Sequence, residues 1–288
     1  MKAGALHSPQ PTPEWDAIPL ADLRGVVMIV GAPDTGKSTF ARYLYARLRE
    51  AGKRPAFLDG DPGQASLGPP TTLTLALGEL TSPSRTRRTF IGDVSPRGHM
   101  LPMLVGVHRL AEAAREAGAE VVVYDTDGLV SPAQGGLALK HALVDLLRPS
   151  LVIGIQAEDE LEPLLLPLRR SRRTRVRTLR PSPLVQKRDF ATRRQNRLDR
   201  YAAYFATVHP LELSWREMPV FPWPRFALHG LLAFEDAEGF TRALGIVQEI
   251  HRETMRLRVL TPLPSLEGVD ALHLGDLALD PQTFREQR

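Results

Sequence analysis

Four short apolar runs, at residues 26–30, 55–58, 121–124 and 151–155, punctuate the chain. Each is too short for a helix and does not alternate, which is the pattern of strands covered on both faces of a parallel sheet. Between them, apolar residues fall at helical spacing over 40–48, 100–117 and 136–147. Ala51-Gly52 closes the first of these segments, Gly118 the second, and Pro149 follows the third. The alternation predicts an α/β domain built on a mostly parallel sheet with right-handed crossovers. A Thr-rich apolar run at 71–77 adds extended structure, residues 81–89 read as a polar loop, and a further strand begins at Phe90.

The pattern changes twice beyond residue 155. First comes a stretch dense in arginine, ending in a helical segment that carries Tyr201, Tyr204 and Phe205. Then Pro219 to Pro224 breaks any helix and reads as a linker. Past it, 226–234, 243–250, 255–260 and 271–279 alternate as strands do. The expected organisation is a leader at 1–24, an α/β domain at 25–217 and a small β-rich domain at 218–288. Within the leader, Trp15 is expected to anchor the segment on the domain.

Charge sharpens this picture. The formal net charge is +4, but residues 169–200 hold 13 Lys/Arg against 2 Asp, while the remainder holds 24 basic and 31 acidic residues. A basic block on an acidic body points to a polyanionic partner such as nucleic acid. The absence of cysteine excludes disulfides, thiolate catalysis and cysteine-ligated zinc. No apolar run approaches the roughly 20 residues that span a bilayer, and residues 1–13 lack the apolar core of a signal peptide. A cytoplasmic protein without a membrane partner is expected.

The candidate chemistry centres on Gly31-Ala32-Pro33-Asp34-Thr35-Gly36-Lys37-Ser38-Thr39. It follows an apolar run and opens a helix, the context a phosphate-binding P-loop requires. Gly31 and Gly36 permit the backbone approach that lets successive N–H groups converge on phosphate, and the helix N-terminus adds its own. Lys37 is expected to reach the β- and γ-phosphates, and the Ser38 hydroxyl to ligate Mg²⁺. All nine residues are candidate nucleotide contacts.

Two further carboxylate clusters follow strands, where open α/β sheets place their ligands. Asp59 and Asp61 lie in Asp-Gly-Asp-Pro-Gly-Gln after the 55–58 run; either could accept a proton from an attacking hydroxyl or hold a water on the metal. Asp125 ends the 121–124 run in the manner of a Walker B carboxylate acting on Mg²⁺.

These motifs, together with Phe-Ile-Gly-Asp-Val-Ser-Pro-Arg-Gly-His over 90–99 and the arginine-rich helix before Tyr201, occur in one order. In that order the chain resembles the polynucleotide 5′-hydroxyl kinases, the family of the pre-mRNA cleavage factor kinase subunit and the rRNA-processing kinase, and looks closest to its compact prokaryotic members. The resemblance implies transfer of the γ-phosphate of ATP, with Mg²⁺, to the 5′-OH of RNA or DNA. It implies Asp61 as base or metal organiser, with Asp59 as second choice. Gln64, Ser95 and His99 fall on positions near the acceptor. Arg193, Arg194, Arg197 and Arg200 fall on a lid helix that closes over the transferring phosphate, Arg193 and Arg197 in catalytic roles. One departure stands out: eukaryotic members carry a tryptophan where this chain has Leu129. Two other readings stay open, a P-loop kinase of a small metabolite and a non-catalytic ATP-bound assembly module.

Overall fold

A computed structural model describes residues 12–287; most of the expected leader lies outside the described residues. What is described of it forms a single turn, α1 (Pro13–Asp16). The Trp15 ring packs edge-on against Phe40, with centroids 5.2 Å apart, and Asp16 accepts hydrogen bonds from Tyr43 and Arg47, so this turn is anchored as expected.

The α/β domain then runs β1 (Gly25–Gly31), α2 (Lys37–Glu50), β2 (Pro55–Gly60), β3 (Thr72–Glu79), β4 (Ser82–Phe90), α3 (Met100–Glu116), β5 (Val121–Thr126), α4 (Gly136–Leu147), β6 (Leu151–Ile155), α5 (Glu162–Ser171) and β7 (Arg175–Leu179). The sheet order is β4-β3-β2-β5-β1-β6-β7. The five strands from β2 to β7 pair in parallel, and β3 and β4 add an antiparallel edge. Side chains alternate between two cores. Met28, Val30 and Leu58 face α3, α4 and α5, whereas Val27, Ile29 and Phe57 face α1 and α2. Burial on both faces explains why these strands read as unbroken apolar runs.

Two expected elements differ: no strand begins at Phe90, which instead ends β4, and residues 91–99 form bends and turns. The polar loop expected at 81–89 is strand β4, which pairs with β3 from Thr72↔Phe90 to Glu79↔Ser82. Arg85, Thr86 and Arg87 are exposed on this edge strand, where charged side chains are compatible with pairing and discourage further strand addition. Polarity there marks an edge, not a loop.

The arginine-rich helix is α6 (Phe190–Tyr204), capped by the Asp189 carboxylate, which accepts the Thr192 N–H at 2.7 Å. The second sheet begins directly after it. Its strands are β8 (His209–Ser214), β9 (Val220–Phe221), β10 (Gly230–Glu235), β11 (Thr241–His251), β12 (Arg256–Thr261), β13 (Ala271–Leu279) and β14 (Glu286–Gln287). They run in the order β14-β13-β10-β11-β12-β8, with β9 beside β13. Strand β8 therefore precedes the expected boundary at 218, and part of the expected linker pairs with β13. Tyr201 and Phe205 are buried against Leu231, Leu244 and Leu277 of this sheet, fastening α6 to it. Among the described residues, no helix is long and apolar enough to cross a membrane.

Candidate active site

Strand β1 ends at Gly31, and the chain turns through the P-loop into α2. Gly36 sits at φ 87°, a conformation open to glycine, and its carbonyl accepts the Phe40 N–H at 2.9 Å as the helix starts. The Lys37 ammonium lies inside the loop, donating to the Ala32 carbonyl at 2.7 Å, and Thr35 Oγ1 donates to the same oxygen at 3.0 Å. Burial pulls the Lys37 pKa below its ordinary value, opposed by the charges of Asp125 and Asp61. Asp34 turns elsewhere: its carboxylate accepts from Arg188 Nε at 2.8 Å and from Arg193 Nη2 at 2.6 Å.

The carboxylates converge on this loop from β2 and β5. Asp125 is hydrogen-bonded to Ser38, yet burial and the neighbouring Asp59 charge push its carboxyl up to about 7. Its Oδ1 is buried without a hydrogen-bond partner. A solvent-facing hydroxyl beside a buried carboxylate with one oxygen unclaimed fits a divalent cation. Among the described residues no cluster of three His, Asp or Glu surrounds it, so phosphate and water oxygens would complete the coordination.

Asp61 lies on the cavity wall. Its Oδ1 accepts the N–H groups of Gly63 and Gln64, each at 2.9 Å, which fixes the carboxylate in a turn. Burial first, then the Asp127 charge, raise its pKa, which makes it a stronger base than an ordinary surface carboxylate. Asp59 is placed differently. Its Oδ2 accepts from Ser66 N, Ser66 Oγ and Leu67 N at 2.5, 2.9 and 2.9 Å, so it organises the loop after β2 and does not line the cavity.

The cavity has a volume of about 1590 Å³ and is walled by the P-loop, the turns after β2 and β5, the 94–97 loop, and α6 with the segment before it. Gln64, Ser95, Arg193, Arg194, Arg197 and Arg200 all line it. Gln64 also reaches α6, donating from Nε2 to the Arg193 carbonyl at 3.3 Å. Leu129 contributes apolar wall. His99 is not in this wall: its Nε2 lies 3.0 Å from Asp276 Oδ2, joining α3 to the second sheet.

Three contributors were not anticipated. Asp127 lines the cavity and is paired with Lys140, which is wholly buried in α4. Lys140 was open to detection, because it sits on the stripe formed with Leu143, Val144 and Leu147, where a charge needs a partner. Arg188 joins Arg193 on Asp34. Glu286, from the last described strand, lines the cavity and holds Arg197.

Comparison with known proteins places the chain in a family. The family model for the mRNA cleavage and polyadenylation factor CLP1 P-loop matches residues 31–207. A polyribonucleotide 5′-hydroxyl-kinase of Pyrococcus horikoshii is 26% identical over 313 residues, covering 86% of this chain and 84% of its own. One from Thermococcus kodakarensis is 26% identical over 309 residues, covering 86% of each. Among solved structures, the wild-type Clp1p–Pcf11p complex aligns with a TM-score of 0.66 at 14% identity, covering 88% of this chain and 74% of that one. That likeness concerns the fold.

Proposed function

The chain belongs to the CLP1 P-loop family, and from that premise we propose that it is an ATP-dependent polynucleotide 5′-hydroxyl kinase acting on RNA or DNA ends. The observation that carries the reading is the meeting, in one cavity, of the P-loop lysine, a turn-fixed Asp61 and four arginines of one helix. A phosphoryl donor, a proton acceptor and a supply of positive charge are what this transfer requires.

The acceptor 5′-oxygen attacks the γ-phosphorus as the bond to the β–γ bridging oxygen breaks, and ADP departs. Asp61 takes the hydroxyl proton. Lys37 and the N–H groups of the loop hold the phosphates, and the arginines of α6 meet the charge that spreads onto the equatorial oxygens. Ser38 and Asp125 would hold Mg²⁺, which supplies charge neutralisation between the β- and γ-phosphates when bound. Asp59 supports the loop that carries Asp61. His99 is assigned to the contact between α3 and the second sheet and not to the acceptor. The expected compartment remains the cytoplasm.

Transfer of labelled γ-phosphate to matched 5′-OH RNA and DNA oligonucleotides, beside nucleosides, tests the proposal. Oligonucleotide labelling that disappears in Lys37→Ala is the expected result. Labelling of nucleosides alone would replace it with a metabolite kinase, and ATP binding without any transfer would indicate an assembly module.

A further inference from the structure

Arg197 is the most deeply placed of the lid arginines, 8% exposed, yet it lines the cavity. A guanidinium taken that far from water needs a hydrogen-bonded counter-charge. The P-loop-domain carboxylate whose charge acts on Arg197 is Asp61, but it accepts the Gly63 and Gln64 N–H groups and, among the hydrogen bonds of the described residues, makes none to the guanidinium. The counter-charge comes from the other sheet. Glu286 in β14 accepts from Arg197 Nε and, at 2.8 Å, from Nη2. A bidentate fork fixes the plane of the guanidinium as well as its charge.

A second contact supports this connection independently. Two residues before Glu286, Phe284 stacks on Phe205 just past the end of α6, with centroids 5.7 Å apart and planes 9° from parallel. The Tyr204 hydroxyl accepts the Leu244 N–H at 2.9 Å. At the opposite end, Arg193 holds Asp34 of the P-loop. The helix therefore spans from the nucleotide loop to the second sheet.

We infer that Glu286 is a positioning residue for phosphoryl transfer, orienting Arg197 from the second sheet so that its remaining edge serves the transferring phosphate. The inference rests on the kinase reading above. Nη1, the edge turned from Glu286, has only a 3.5 Å contact with the Arg193 carbonyl among the hydrogen bonds of the described residues. An arginine at the transferring phosphate contributes a factor of about 10³ to 10⁵ in related systems. Displacing a reacting group by about 1 Å can lose a factor of about 100. The second sheet thereby supplies part of the active site.

The test is steady-state transfer to a 5′-OH RNA oligonucleotide by the full chain, with Glu286→Gln, Arg197→Lys and the double variant, each checked by thermal unfolding. Glu286→Gln should lower kcat by a factor of about 10 to 100 with little change in KM for ATP. The double variant should be no slower than Arg197→Lys alone, since both act through one group. If Glu286→Gln unfolds, Glu286→Asp keeps the charge one methylene short and should show the same loss of kcat. Unchanged or increased kcat, or additive losses in the double variant, would overturn the inference while wild-type transfer leaves the kinase reading standing. A wild-type protein that transfers nothing overturns both.

Discussion

Lys140 and Asp127 form an ion pair with neither side chain open to solvent, at 0% and 2% exposure. The other Asp127 oxygen accepts the Leu129 N–H at 2.8 Å, so the pair also sets the turn that faces the P-loop. Removing one partner of such a pair leaves a buried charge and costs about 3–5 kcal/mol, whereas removing both is far milder. Lys140→Met should therefore lower unfolding free energy by about that amount in urea titration. Asp127→Asn/Lys140→Met should recover most of it while transfer stays at least about tenfold reduced, because the Asp127 charge also faces the cavity. A Lys140→Met protein as stable as wild type would rule this out.

Gly128 lies against the P-loop so closely that a Cβ there would stand 2.9 Å from Pro33 Cγ and 3.0 Å from Pro33 N. An added methyl must push the loop, and overpacking of this kind costs about 1–3 kcal/mol. Gly128→Ala should weaken binding of a non-hydrolysable ATP analogue by roughly tenfold or more, a change of about 1.4 kcal/mol per decade. Calorimetric titration reads it directly, and unchanged affinity would mean that the loop yields without loss.

Asp34 tethers α6 and the segment before it to the nucleotide loop. Burial raises its pKa, but the hydrogen bonds from Arg193 and Arg188 outweigh this and leave it below its ordinary 3.8. A depressed carboxylate contributes its stability in full above 3.8 and loses it as pH falls through the lowered value. Protease sensitivity of the 182–194 segment should therefore stay flat from about pH 5 to about pH 8 as far as this tether is concerned. Asp34→Asn keeps the residue compatible with its φ of 55° while removing the charge. The Asp34 side chain is only 3% exposed, but the two arginines reach solvent at 44% and 32%, so removing its charge strands no buried cation and global stability should fall by only about 1 kcal/mol. Cleavage in that segment should rise and turnover should fall; a variant with wild-type cleavage would locate the tether elsewhere.

Much of the first domain was legible because its signals are local. An apolar run before Gly31, a complete P-loop and Asp125 at a strand end are each read within about ten residues. Strand β4 was not legible, since an edge strand bearing Arg85 and Arg87 has the polarity of a loop. Asp59 and Asp61 looked equivalent by spacing, and it is their partners in the fold, Ser66 and Leu67 for one and Gly63 and Gln64 for the other, that distinguish them. Glu286 and His99 lay further out of reach: their partners are 89 and 177 residues away, brought close by sheet packing that no neighbouring residue encodes.

The contact between the Lys37 ammonium and the Ala32 carbonyl has a thermodynamic consequence. Ordering a free lysine side chain costs up to about 2 kcal/mol of rotamer entropy. Here the four-carbon stem is already packed along the loop, so that cost belongs to folding and not to association. An arriving triphosphate exchanges one oxygen partner for another, and its affinity is spared the freezing of a long, mobile cation.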